Sequence, residues 1–411
     1  MGNFRAFAVK SAALAALLAG STLVSVAPAA QAESEEWVPA MHGMPVVGSD
    51  LTMGLTRTDL IDCPETEEAP QGLVLEWLSN GVPLPAERQG EILKLTTEDR
   101  GNRISFNVHG VCSESEVFHS TATPPIAASN RAMGWTGRGN YELLGRTDSG
   151  ELVLYPRTYE SDWKDIGMSI RVRYYPSSWD VPRVVGTGWN IFNIVFSAGD
   201  FDGDGFNDVL ARDGAGNLFL YPGNGDGGWL PTVQVGSGWS IFDSIVGAGD
   251  FDGDGNNDVL ARDSVGGLFL YPGDGDGGWL TPQLVGMGWQ VFDKIIASGD
   301  TDGDGAMDIF ARDRSGVLYH YPSDGHGGWK SPAVMGSGWE VMTEIIGAGM
   351  FFKDSMNSRT GNRYASVLEA RNDITAVDKD GYLRHYYGLP ERGLYGGHYI
   401  GNGWDIFNTL I

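Results

Sequence analysis

One pattern is written three times between residues 187 and 340, with Asp200, Asp250 and Asp300 marking a period of 50 residues. The first copy runs from Gly188-Trp189 through Asp200-Phe201-Asp202-Gly203-Asp204-Gly205 and Asp208-Val209-Leu210-Ala211-Arg212-Asp213. It continues to Leu218-Phe219-Leu220-Tyr221-Pro222-Gly223 and Gly228-Trp229. A period of this length specifies one supersecondary unit that buries its faces only by stacking on neighbours. Each copy reads as four short strands separated by an Asp/Gly loop, a Gly-rich turn and a Gly-Trp turn, which is the size of one propeller blade.

Two weaker copies flank these three. Glu142 to Pro156 aligns with Asp208 to Pro222, and an insertion near Arg157 to Ser177 follows. A fifth copy starts at Gly338-Trp339, carries an insertion around Phe352 to Arg371, and resumes at Asp373. The first copy lacks the Gly-Trp-x-Ile-Phe lead-in, and the last residues supply one spare lead-in, Gly403-Trp404-Asp405-Ile406-Phe407. Pairing the two ends removes the open edges of a stack. The expectation is an all-β chain whose residues 130–411 form a five-bladed β-propeller closed by the C-terminal segment.

The rest of the chain is read around this ring. Residues 1–32 have Arg5 and Lys10 ahead of a short run rich in Ala and Ser, then Ala30-Gln31-Ala32, the pattern of a secretory signal peptide. The run is less apolar than the roughly 20 residues a membrane span requires, and no later stretch reads as a span. Residues 33–41 read as an acidic linker. Residues 42–122 alternate without a helical period, with Cys63, Trp77 and Cys112 in that order, and suggest a small Ig-like β-sandwich. Export would let Cys63 and Cys112 bridge. Thr123-Pro124-Pro125 makes residues 123–129 a stiff linker.

The net charge of −25 sets this chain against nucleic acid and anionic membranes as partners. Its 13 Trp, 17 Phe and 15 Tyr, in regular positions, set it against disorder. Much of the acid sits in the repeated loops. Asp200, Asp202, Asp204 and Asp208 occupy positions 1, 3, 5 and 9, as do Asp250, Asp252, Asp254 and Asp258, and Asp300, Asp302, Asp304 and Asp308. Carboxylates so close repel one another without a cation. A glycine at position 6 permits a sharp turn, and the carbonyls of Phe206, Asn256 and Ala306 at position 7 would complete an oxygen shell suited to Ca²⁺. The first and fifth copies have lost the pattern, so three calcium sites are expected. Position 12 is Ala211, Ala261 or Ala311, so these are not EF-hands.

This Gly-Asp-Phe-Asp-Gly-Asp-Gly-x-x-Asp pattern resembles the FG-GAP (VCBS-type) repeats of integrin α-subunit propellers and of secreted bacterial proteins. The Gly-Trp and Tyr-Pro-Gly-x-Gly-x-Gly-Gly-Trp signatures are similar to actinobacterial versions, and Leu75 to Leu84 with Leu95 to Ser105 resembles the Ig-like modules of secreted actinobacterial proteins. The resemblance implies calcium in the blade loops and a role in sugar binding or adhesion, or attachment to a hydrolase.

Two tryptophan series stand out. Trp189, Trp239, Trp289, Trp339 and Trp404 read as packing. Trp179, Trp229, Trp279 and Trp329 close the Gly-rich turns beside Asn224, Asp226, Asp274, Asp276, Asp324 and His326. They read either as packing or as shallow sugar sites, where a ring stacks on the sugar and Asn224, Asp274 or Asp324 takes hydroxyls. No Gly-x-Ser-x-Gly or His-Glu-x-x-His occurs. The leading expectation is a secreted, extracellular, non-catalytic protein that binds carbohydrate. The alternatives are a module binding a secreted or surface protein, as adhesin or inhibitor, and a hydrolase with its site in the propeller funnel.

Overall fold

The computed structural model describes residues 41–53, 74–109, 117–130, 133–165, 170–302, 304–349, 353–355, 373–389 and 393–411. The expected signal peptide, nearly all of the 33–41 linker, Cys63 and Cys112 lie outside them. Regular structure in the described residues is strand, with short 3-10 turns. No helix among them is long and apolar enough to cross a membrane.

The three clear copies fold alike. Sheet II consists of Phe192–Gly199, Asp208–Asp213, Leu218–Tyr221 and Val233–Gly236, paired antiparallel in chain order. Sheet III uses Phe242–Gly249, Asp258–Asp263, Leu268–Tyr271 and Gln283–Gly286. Sheet IV uses Phe292–Gly299, Asp308–Asp313, Leu318–Tyr321 and Ala333–Gly336. Sheet V uses Met342–Gly349, Asp373–Asp378, Leu383–Leu389 and Gly393–Gly401. The second strand of each is buried on both faces because it stacks between neighbouring sheets. Val209, Leu210 and Ala211 in sheet II are fully buried.

Sheet I is assembled from both ends of the repeat region. Arg183–Gly186, Leu152–Tyr155 and Leu143–Thr147 are completed by Phe407–Leu410, with Phe407 opposite Thr147 and Leu410 opposite Gly145. Leu144 and Ile411 exchange two backbone hydrogen bonds of 2.9 Å. The two insertions also meet. Arg157–Asp165 and Ile170–Trp179 form a hairpin that adds Lys353–Ser355 from the fifth copy, with Val172 opposite Ser355. The first and last copies are thus joined twice.

First strands of successive sheets II to V lie side by side. They approach so closely that a Cβ on Gly247 would stand 2.1 Å from the Ser197 carbonyl oxygen, and one on Gly347 would stand 1.9 Å from that of Ala297. This explains the small residues Ser197-Ala198-Gly199, Gly247-Ala248-Gly249 and Ala297-Ser298-Gly299 at strand ends. The cavity they line, with Asn130, Asn257 and Met307, measures about 40 Å³.

A recurring arginine ties each sheet to the next. Arg212 donates through Nη1 to the carbonyls of Trp239 (2.8 Å) and Phe242 (2.6 Å) at the start of sheet III, and through Nε to Asn193. Arg146, Arg262 and Arg312 repeat the contact with Phe192, Phe292 and Met342 at 2.6 Å each. In sheet V the corresponding residue is Val377. The series Trp189, Trp239, Trp289, Trp339 and Trp404 is buried beside these clasps. Each follows a glycine with φ of 75–90°, a left-handed conformation that side chains disfavour.

Ahead of the repeats, the sheet Met41–His42, Asp50–Met53, Ile92–Lys94 faces the sheet Val82–Pro83, Val74–Ser79, Ile104–His109, Val117–His119. Their shared core centres on Trp77, which is fully buried, meets Phe106 edge-on at 5.1 Å and donates Nε1–H to the Gly90 carbonyl. Residues 123–129 are built into both neighbours. Ile126 is buried in this core, the Ala128 N–H donates to the Gly255 carbonyl, and the Ser129 carbonyl accepts from Asp200 N and Asn257 Nδ2.

Candidate functional site: acidic loops docked on glycine-rich turns

The last aspartate of each acidic loop anchors it. Asp208 is fully buried; Oδ2 accepts from the N–H groups of Phe201 (2.8 Å) and Asp202 (3.3 Å), and Oδ1 from Gly223 N–H (2.8 Å). Asp258 does the same with Phe251, Asp252 and Gly273. Asp308 takes Thr301 and Ser323. This one side chain fixes both the start of the acidic loop and the start of the Gly-rich turn, which therefore sit at the same end of the sheet.

The remaining loop aspartates curl the backbone. Asp202 Oδ1 accepts from Asp204 N–H, Asp204 Oδ1 from Phe206 N–H and Asp200 Oδ2 from Gly205 N–H. Loops two and three repeat these bonds through Asp250, Asp252 and Asp254, and through Asp300, Asp302 and Asp304, with Asn256 and Ala306 as the last donors. Three carboxylates then converge in each loop. Asp200, Asp202 and Asp208 place one oxygen each within 4.8 Å of one another, as do Asp250, Asp252 and Asp254, and Asp300, Asp302 and Asp304. The structure thus brings Asp208 into the first cluster, while Asp258 and Asp308 serve as anchors beside the second and third.

These clusters fit a hard cation. All the converging side chains offer carboxylate oxygens, and Asp200 Oδ1 is buried with no hydrogen-bond donor from the protein. Burial, reinforced by the charges of neighbouring aspartates, pushes Asp200 and Asp250 up to about 7 and Asp208 and Asp258 up to about 8. Burial likewise raises Asp204, Asp252 and Asp302. A divalent ion would reverse that imbalance.

The first two loops also dock on the next sheet. Gly277 N–H of sheet III donates to the Phe201 carbonyl (3.1 Å), and Gly327 N–H of sheet IV to that of Phe251 (3.3 Å). No Cβ is tolerated where they meet: one on Gly203 or Gly253 would lie 2.4 Å from the carbonyl oxygen of Gly275 or Gly325. The turn residues Asn224, Asp274 and Asp324 are exposed. Each spends one oxygen on two backbone N–H groups of its own turn, Asp226 and Gly228, Asp276 and Gly278, or His326 and Gly328.

The tryptophans that close these turns are half-buried between sheets. Trp279 meets Phe201 at 4.7 Å and Trp239 at 5.2 Å, and its Nε1–H donates to the Val235 carbonyl. Trp329 meets Phe251 and Trp289 and donates to Val285. Trp229 lies 5.8 Å from Trp189, and Trp179 lies 5.2 Å from Trp404 and donates to Ile400. Their rings are thus engaged in inter-sheet packing and remain only partly buried.

Sequence reading missed the first copy's version of the loop. Glu142 takes the anchor role, accepting from Trp135 N–H (2.6 Å) and Thr136 N–H (3.0 Å). Gly134, Thr136 and Arg138 stand where the ion-facing aspartates would be. It also missed Lys330, whose Nζ sits on Asp304 Oδ2 and is raised by that contact.

The FG-GAP-like repeat family matches residues 200–261 and 250–311. No curated protein matches the chain. Among solved structures, the BP39L lectin of Burkholderia pseudomallei is similar at 15% identity over 88% of this chain and 94% of that one, with a TM-score of 0.36. An Agrocybe aegerita lectin described as recognising non-reducing terminal N-acetylglucosamine gives 16%, 74%, 80% and 0.31. The Aleuria aurantia lectin, described as a six-bladed β-propeller, gives 11%, 74%, 92% and 0.32. Residues 200–311 of this chain thus match the FG-GAP-like repeat family, and their acidic clusters are able to hold metal ions.

Proposed function

We propose that this chain is a secreted, calcium-binding, non-catalytic recognition protein. Its five four-stranded sheets form one five-bladed ring, preceded by an Ig-like module, and it takes extracellular carbohydrate at the acidic-loop end. The observation that carries the reading is the composite unit found between sheets II and III and again between III and IV: an acidic loop able to hold a hard cation, docked on a Gly-rich turn with an exposed Asp and a half-buried tryptophan. Asp202 and Asp252, with the other clustered carboxylates, would hold the ions, which neutralise the loops and fix the turns resting on them. The protein's own groups do the rest. Asp274 and Asp324 keep one carboxylate oxygen for a sugar hydroxyl while the other holds the turn.

A protein partner is the second reading. Ile191, Ile241, Val291, Val341 and Ile406 recur two residues after the Gly-Trp pairs and are all exposed, at the opposite end of the sheets. A glycan array with and without calcium tests the first reading. Binding to a defined sugar that falls on chelation is expected. A blank array from folded, metal-loaded protein refutes it, and capture of a protein by the Ile/Val end would establish the second.

A further inference from the structure

The three acidic loops are not equivalent. In sheets II and III the residue after the turn tryptophan is Leu230 or Leu280, whereas in sheet IV it is Lys330, and its ammonium pairs with Asp304 of the third carboxylate cluster. A second exchange accompanies it. Leu220 and Leu270 correspond to His320, whose Nε2 lies 3.0 Å from Asp308 Oδ2 and 2.8 Å from Thr301 Oγ1. Thr301 itself replaces Phe201 and Phe251 and donates Oγ1–H to Asp308 at 2.6 Å. The third loop thus has basic side chains on both of its carboxylate groups, where the first two have aliphatic ones at the same places.

We propose that Lys330 serves as a resident cation that makes the third loop a weak, exchangeable divalent site beside two tight ones. This rests on the calcium reading above and assigns its regulation. A dication entering the Asp300, Asp302 and Asp304 cluster must displace the ammonium from Asp304 or tolerate it nearby. A unit positive charge some 5 Å from a dication lowers its affinity by about tenfold even in a water-like medium. The lysine side chain is half-exposed and flexible, so it leaves readily once calcium is abundant. Two loops then hold the ring at low calcium, and the third fills only as calcium rises. That loop also lines, with Arg103, Pro124 and His326, a cavity of about 520 Å³ against the preceding module.

Calcium titration by calorimetry, with ions counted by native mass spectrometry, tests this on the full chain. Wild type should take up two ions tightly and a third at least about tenfold more weakly. Lys330→Leu should bring the third into line with the others, and the reciprocal Leu280→Lys should leave one tight ion and two weak ones. Three equivalent ions in wild type, unchanged in Lys330→Leu, overturn the inference and leave the calcium reading standing. No uptake by any of the three proteins overturns both.

Discussion

Replacing Arg262 by methionine should loosen sheet III from sheet IV. Arg262 is nearly buried, and its Nη1 donates to the carbonyls of Trp289 (3.0 Å) and Phe292 (2.6 Å) while Nε holds Asp243 (2.7 Å). Methionine fills most of the volume, so the loss is polar. The Trp289 carbonyl keeps the Phe292 N–H as donor, but the Phe292 carbonyl loses a charge-assisted bond, worth about 1.5–3 kcal/mol. The ion pair adds little, since Asp243 is half-exposed and solvent screens it. The sum is about 2–4 kcal/mol, or roughly 4–12 °C in Tm for a domain of this size. Asp243→Asn, which removes only the screened charge, should cost less than about 1 kcal/mol. Differential scanning calorimetry of both variants in saturating calcium measures this. A Tm for Arg262→Met within a degree of wild type would refute the clasp, as would equal losses in the two variants.

Other consequences follow from the loops. Asp252→Ala should remove one ion from the total count and lower Tm in calcium while leaving Tm in EDTA unchanged or higher, because it relieves repulsion; native mass spectrometry and paired melts check both. Without metal, Asp200, Asp208, Asp250 and Asp258 hold protons up to pH 7–8, whereas in the unfolded chain they lose them near the ordinary value of 3.8. The folded state therefore binds more protons between about pH 4 and 8, and metal-free stability should fall as pH rises through that window. Calcium displaces those protons, so the Tm gained on adding calcium should grow from pH 5 to pH 8, and a gain independent of pH would contradict the burial of these carboxylates. Trp279→Ala should cost about 2–3 kcal/mol, below the roughly 3–5 kcal/mol for emptying a fully buried aromatic position, because the half-buried ring is packed against Phe201 and Trp239; an unchanged melt would make it a solvent-facing platform instead.

Much of this architecture was legible because it is local and repeated. The spacing of Asp200, Asp250 and Asp300 specified four strands per copy, and the spare lead-in at Trp404 and Phe407 pointed to the pairing with Leu143–Thr147. The acidic loops were legible as carboxylate clusters able to hold a cation from residue type alone, and the structure added which oxygens converge: Asp208, an anchor like Asp258 and Asp308, also joins the first cluster. The arginine clasp was visible as a recurring Ala-Arg-Asp but had no local meaning, since its acceptors lie about thirty residues on in the next sheet. The union of the two insertions through Val172 and Ser355 is likewise non-local. Nothing in Ala127-Ala128-Ser129 marked it as packed between the preceding module and the acidic loops; small side chains there permit a close backbone approach that composition alone does not distinguish from a linker. Lys330 was hidden because a single exchange for leucine matters only when the loop it faces is known.

Thermal unfolding of the full chain in EDTA and across rising calcium tests most directly whether the acidic loops are cation sites that hold the sheets together. An ion bound only by the folded state adds about 2.7 kcal/mol per site at a hundredfold excess over its dissociation constant. Tm should be lowest in EDTA and climb with calcium, with the climb reduced by Asp202→Ala and Asp252→Ala. Superimposable melting curves in EDTA and in millimolar calcium would contradict it.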